Sequence, residues 1–144
     1  MDLAFEEAEA AFARGEVPVG CVVVDGATGR IVAGAGNRTE ELADPTAHAE
    51  MLALRAACAA RGVPRLPDCD LYVTVEPCAM CAQAIAFARI RRVVYGAADA
   101  KMGGVAHGAR VFAQPTCHHR PEIVDGVGER RARELMRRFF AARR

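Results

Sequence analysis

Leu71-Tyr72-Val73-Thr74-Val75-Glu76-Pro77-Cys78-Ala79-Met80-Cys81 is the stretch on which the fold turns. Its first five residues are mostly apolar and read as a buried strand. A run of good helix formers, Ala82 to Ala88, follows the motif. Pro77 suits the first turn of a helix, because it has no amide proton to leave unpaired there. Cys78 and Cys81 are three residues apart, so both sulfurs fall on one side of that turn. The partial positive charge of a helix start favours thiolate over thiol. Two thiolates held in this way are half of a zinc site.

Asp44-Pro45-Thr46-Ala47-His48-Ala49-Glu50 is built the same way, with a capping residue, a proline and then a helix rich in Ala and Leu. His48 falls in the first turn of that helix. One imidazole and two thiolates make three protein ligands. Structural zinc sites fill all four tetrahedral positions with protein, whereas catalytic ones keep one for water. His48, Cys78 and Cys81 therefore predict a catalytic zinc centre. Glu50 predicts a general base that reaches the fourth position without being a ligand. The competing reading is a structural zinc module with a fourth ligand from Cys117, His118 or His119, and it leaves Glu50 without a purpose.

Working outward, residues 2–14 read as an amphipathic helix with Leu3, Phe5, Ala8 and Phe12 on its apolar face. Val17 to Val24 reads as a buried strand, residues 25–29 as a turn, and Ile31-Val32-Ala33 as the start of a return strand. Gly34-Ala35-Gly36 reads as turn glycines. The first metal helix is expected from about Pro45 to Arg61, stopped by Gly62-Val63-Pro64. The second is expected to reach about Ile90. Short strands follow at 92–96 and 122–124, with a helical turn at 110–113 between them. Residues 129–142 read as a last helix with a Leu135, Met136, Phe139, Phe140 stripe. Alternating strands and helices call for parallel pairing with crossover helices, and the first hairpin adds an antiparallel strand. The expected architecture is α/β: a mixed sheet of about five strands with helices on both faces, in one domain covering 1–144.

The 144 residues are the size of one ordinary domain, and 52% of them are apolar, enough for a core. No apolar run approaches the roughly 20 residues of a membrane span. The acidic start, Met1-Asp2-Leu3-Ala4-Phe5-Glu6-Glu7, lacks the layout of a secretory signal, so a cytoplasmic protein is expected. Six cysteines without such a signal read as metal ligands and buried thiols, not as a disulfide framework. Residues 1–60 carry 4 basic and 10 acidic side chains, and residues 61–144 carry 15 basic and 8 acidic. That asymmetry suggests an anionic partner for the second half.

The two half-motifs, His48-Ala49-Glu50 and Pro77-Cys78-Ala79-Met80-Cys81, resemble the H-x-E and P-C-x-x-C signature of zinc-dependent nucleobase deaminases. Further stretches are similar to the bacterial tRNA-specific adenosine deaminase family. They are Glu16 to Gly20, Gly36-Asn37-Arg38, Asp44 to Glu50, Arg92 to Ala97, Asp99-Ala100-Lys101, His119 to Ile123 and Phe139-Phe140. The chain departs from the family at Ala98, where many relatives have Arg, and at His118, where many have Asn.

This resemblance implies a three-layer, cytidine-deaminase-like fold with one zinc ion per subunit. It implies conversion of adenosine to inosine at the wobble position of a tRNA anticodon, in an arginine tRNA. The family is homodimeric, and the anticodon stem-loop meets both subunits. Glu50 would move protons from water to the ring nitrogen and then to the leaving amino group. Asn37 would hydrogen-bond the purine ring, the Ala49 amide would contact the base, and Asp99 and Lys101 would line the path of flanking nucleotides. Seven arginines between Arg130 and Arg144 suit RNA backbone contact, though such residues also cap helix ends and cover apolar surface. Two other functions fit the motifs: a deaminase of free cytidine, deoxycytidylate or guanine, and a non-enzymatic zinc-stabilised RNA-binding subunit.

Overall fold

The computed structural model describes all 144 residues, Met1–Arg144. Helix α1 (Asp2–Ala13) leads into the hairpin β1 (Gly20–Asp25) and β2 (Ile31–Gly36). Helix α2 (Ala49–Arg61), strand β3 (Cys69–Val75), helix α3 (Ala79–Phe87) and strand β4 (Arg92–Ala97) follow. A long connection with a 3-10 turn at Val111–Ala113 reaches strand β5 (Glu122–Val124) and helix α4 (Glu129–Ala141). The strands form one sheet in the order β2-β1-β3-β4-β5. β1 runs antiparallel to both β2 and β3, while β3, β4 and β5 are parallel. This is the expected mixed sheet. Helices α1 and α4 pack on one face and α2 and α3 on the other, giving three layers.

The larger core lies between the sheet and α2 and α3. Leu71, Val73 and Val93 from the strands meet Ala53 and Ile85 from the helices, all fully buried. Each buried aliphatic side chain of this size contributes about 1.5–3 kcal/mol relative to exposure. Both helices turn alanines to the sheet, Ala49, Ala53 and Ala57 on α2 and Ala82 and Ala86 on α3. Short side chains let the helix axes lie close to the strands, which brings the two helix beginnings together.

Three expectations are corrected. Gly34, Ala35 and Gly36 belong to β2, where Gly36 pairs with Gly20. Gly36 and its partner Gly20 are there for close approach: a Cβ on Gly36 would lie 2.6 Å from the Glu7 carbonyl oxygen, and one on Gly20 would meet the Ala4 carbonyl. Helix α1 therefore rests its backbone directly on these strands. Helix α2 begins at Ala49 and not at Pro45, because the Asp44 carboxylate accepts from Thr46 N at 2.8 Å and Thr46 Oγ1 at 2.7 Å and holds a turn there. Helix α3 begins at Ala79, after Pro77 and an extended Cys78, and ends at Phe87, short of Ile90. Its stop coincides with Arg89, whose φ is +59°. No helix is long and apolar enough to cross a membrane.

Candidate active site

Because the helices start later than the prolines suggest, His48 and Cys78 are the N-cap residues of α2 and α3. Both have extended backbone, φ −68° and ψ 151° for His48, φ −69° and ψ 173° for Cys78. An N-cap side chain leans over the open end of its helix. Neither residue caps its own helix with a side-chain hydrogen bond, so the imidazole and the thiol face each other. Cys81, the third residue of α3, adds its sulfur from one turn on.

His48 Nδ1 lies 3.6 Å from Cys78 Sγ and 3.6 Å from Cys81 Sγ. Bonds of about 2.0 Å to nitrogen and 2.3 Å to sulfur at a tetrahedral angle put ligand N and S about 3.5 Å apart. The three donor atoms all lie within 4.8 Å of one another, and no other His, Cys, Asp or Glu joins the group. The fit is that of a single tetrahedral ion with three protein ligands. Cys117 Sγ donates to the His119 carbonyl at 3.1 Å, and His119 Nε2 donates to the Ile90 carbonyl at 2.6 Å. The cluster that would have supplied a fourth ligand is spent elsewhere.

The three donors set one another's protonation. The hydrogen bond from Cys81 is the main cause that pushes the Cys78 thiol down to about 4, and His48 contributes further. That same bond and burial keep the proton on Cys81. The Cys78 bond in turn raises His48. Glu50, the second residue of α2, is buried, and burial pushes its carboxyl up to about 7. A carboxyl in that range can both take and return a proton near neutrality.

His48, Glu50 and Cys78 line a cleft of about 920 Å³. Asn37, Asp99 and Lys101 line it as well, so the structure brings these predicted residues to one place. Ala49 is fully buried as the first residue of α2, a position whose N–H has no acceptor within the helix. The Asn37 Nδ2 group donates to Glu16 Oε2 and Thr39 Oγ1, both at 3.1 Å. A carboxylate only accepts, so the amide is held one way round, with Oδ1 as its remaining polar atom. Asp99 is partly engaged by its own loop, since its Oδ1 accepts from Lys101 N and Met102 N at 3.0 Å each.

Helix α4 supplies the other wall. Phe139 is buried edge-on against Phe12, ring centroids 5.7 Å apart, whereas Phe140 is 46% exposed and lines the cleft. The arginines divide in the same way. Arg131 pairs with Glu9 at 2.8 Å and stacks over Phe5, and Arg138 lies over Phe12. Arg133, Arg137, Arg143 and Arg144 border the cleft. Arg133 and Arg137 pair with Glu129 and Glu134 of the same helix, and Arg143, just past its end, also lies over Phe139 and donates to the Gly15 carbonyl, so packing and a basic cleft border share these arginines.

The family model for the cytidine and deoxycytidylate deaminase zinc-binding region matches residues 1–97. A tRNA-specific adenosine deaminase of Agrobacterium fabrum is 55% identical over 144 residues, covering 100% of this chain and 93% of that protein. One of Rickettsia bellii is 45% identical over 137 residues, covering 95% of this chain and 94% of that protein. A solved structure from a study of A-to-I editing by tRNA:A34 deaminases at the wobble position superposes with a TM-score of 0.91 at 56% identity. It covers 94% of this chain and 96% of that one. The chain belongs to the tRNA-specific adenosine deaminase family. Zinc is the cofactor of the matched region, and this family member has one side-chain group positioned for such an ion.

Two residues of this deaminase family member that matter to the cleft carried no signal of their own in the sequence. Glu16 is 1% exposed and has no cationic partner; besides Asn37, it accepts from Glu41 N at 2.8 Å and Glu40 N at 3.3 Å. It pins the loop after β2 and fixes the Asn37 amide. Glu76, at the end of β3, does the same for the loop after β4. Burial pushes its carboxyl up, but the amide donors of Asp99, His107 and Ala106 and the His107 ring outweigh that and hold it below its ordinary range. A glutamate in a strand-to-loop position looks like any surface residue until its donors are placed around it. Replacing Glu16 by Gln turns a donor toward backbone donors, so Glu16→Gln is expected to lose about 1–3 kcal/mol of stability in denaturant titration.

Proposed function

We propose that this protein hydrolytically deaminates adenosine to inosine at the wobble position of a tRNA anticodon, that of an arginine tRNA, as a cytoplasmic homodimer. The observation that carries this is the buried Glu50 carboxyl beside a three-ligand metal group, in a cleft with a basic rim. His48, Cys78 and Cys81 are the residues to hold zinc, which makes a water acidic enough to act as nucleophile near neutral pH. Glu50 accepts the proton from that water on a carboxyl oxygen. It then donates it to the ring nitrogen next to the target carbon. The hydroxide that remains bonds to that carbon, and Glu50 carries the proton of the new hydroxyl to the amino nitrogen, whose bond to the carbon breaks so that it departs as ammonia.

The remaining residues hold the base in place. The Ala49 N–H, free at the start of α2, donates to the base. Asn37 meets the substrate through Oδ1, so it contacts a donor such as an amino or hydroxyl group and not a bare ring nitrogen. Asp99 and Lys101 line the path of flanking nucleotides. Arg133, Arg137 and Arg143 suit phosphates, and Phe140 offers a face on which an unstacked base can rest. An anticodon loop presents such bases without melting a duplex. Phe87, at the far end of α3, is 70% exposed and is an aromatic that a second subunit would cover.

A deaminase of free bases would share the metal chemistry but has no need of the basic rim. Purified protein offered free adenosine, cytidine and guanine beside an anticodon stem-loop with A at the wobble position is expected to release ammonia only with the RNA. Turnover of a free compound with none on the RNA would overturn the proposal. Arginine tRNA sequenced after depletion of the protein is expected to carry A where inosine stood.

A further inference from the structure

Glu76 is the most heavily hydrogen-bonded side chain in the molecule, and the reaction as described makes no use of it. Its side chain is fully buried, one residue before Pro77 and two before Cys78. Oε1 accepts from Val105 N at 3.2 Å, Ala106 N at 2.8 Å and His107 N at 3.0 Å. Oε2 accepts from Asp99 N at 2.9 Å and lies 2.8 Å from His107 Nδ1, which must carry the proton of that bond because a carboxylate only accepts. All five bonds come from one loop. They grip both of its ends, Asp99 and His107, while Lys101 and Met102 project between them into the cleft.

The loop is joined to the metal turn a second time, through the backbone. Gly104 N donates to the Pro77 carbonyl at 2.8 Å, and Gly103 forms an isolated antiparallel bridge with Cys78 itself. Neither position has room for a side chain. A Cβ on Gly103 would lie 2.5 Å from Glu76 Oε1, and one on Gly104 would meet the Ala79 amide nitrogen. The peptide that carries Asp99 and Lys101 is therefore laid directly on the peptide that carries Cys78.

We propose that Glu76 is a positioning residue that locks the Asp99–His107 loop onto the metal turn, so that the substrate-contacting loop and Cys78 move as one body. Glu76 touches neither substrate nor metal. It sets the distance between the place where flanking nucleotides are held and the place where the target base reacts. Without it the loop keeps its two backbone contacts to residues 77 and 78 but loses the anchors at both ends. Lys101 then samples positions from which it cannot hold the RNA, and binding suffers more than chemistry. This rests on the reading of Asp99 and Lys101 as substrate contacts, so the test includes one measurement that needs no substrate.

The experiment compares the parent with Glu76→Gln, and with His107→Ala as a milder change that removes one bond at a residue whose side chain is already 41% exposed. Zinc content, kcat and KM on an anticodon stem-loop, and amide hydrogen exchange are measured on each. Glu76→Gln is expected to keep its zinc and raise KM about tenfold, with kcat within about threefold of the parent. His107→Ala is expected to raise KM about threefold. In both, exchange is expected to quicken at residues 99 and 105–107 and not in β3 or β4. A merely structural role would lower the melting temperature and quicken exchange across the sheet with KM unmoved, and that result would overturn the proposal. Combining Glu76→Gln with Lys101→Ala gives a further arm: KM no worse than for Glu76→Gln alone supports action through the loop, and multiplied effects refute it. Local exchange changes with no change in KM would keep the anchoring but remove the substrate role of the loop, which separates failure of the functional reading from failure of this one.

Discussion

Glu50→Ala and Glu50→Gln are expected to lose deamination by about 10²–10⁴-fold in kcat while keeping a full complement of zinc. The metal is retained because the donor group comprises His48, Cys78 and Cys81 without Glu50. In the proposed mechanism every proton passes through this one carboxyl, and no other carboxyl in the cleft is free to replace it. Glu76 is tied up by five donors and Asp99 by two amides of its own loop. The glutamine variant separates chemistry from shape, since it fills the same buried volume and cannot relay a proton. It also removes the cost of holding a charge where burial already pushes the carboxyl up to about 7, so its melting temperature is not expected to fall. Activity within tenfold of the parent in both variants would rule out the proton-relay role.

Cys78→Ala and His48→Ala are expected to lose zinc altogether, and with it all activity above background. Three ligands are the fewest that hold a catalytic zinc tightly, and removing one leaves two donors on a partly open cleft. A ligand that binds only the folded state adds stability by mass action, about 4 kcal/mol when present at a thousand times its dissociation constant. These variants should therefore melt lower than the parent, and added zinc should not restore them. Cys117→Ala is the control. Its thiol bonds to the His119 carbonyl, so zinc content should not change. Zinc retained by Cys78→Ala, or lost by Cys117→Ala, would contradict the ligand assignment and revive the structural-module reading.

The metal group could be read from the sequence because each half is local. Cys78 and Cys81 lie three apart at one helix start, and His48 and Glu50 lie within three residues of another, so each pair stays close whatever the rest of the chain does. The prolines misled by a few residues. They mark the extended segments before the helices, and the metal ligands are caps instead of first-turn residues. Cap geometry depends on where a side chain such as Asp44 folds back, and composition does not show that. Gly36 misled for a different reason. A glycine needed for close approach and a glycine needed for a turn are the same letter, and only the neighbouring helix α1 tells them apart. The arginines of α4 were legible as a count, but their division between α1 and the cleft followed from which face of the helix packs.

What the chain by itself determined is whatever acts within a few residues or through periodicity: strands, helices, the mixed sheet and the His-Cys-Cys group positioned for one ion. Only the tertiary structure decided what surrounds those ligands. Glu16 and Glu76 became anchors because donors 21 to 31 residues away in sequence close around them. Such a carboxylate is stable in the interior only once those amides are in place, because a buried charge without partners costs more than a fold of this size can supply.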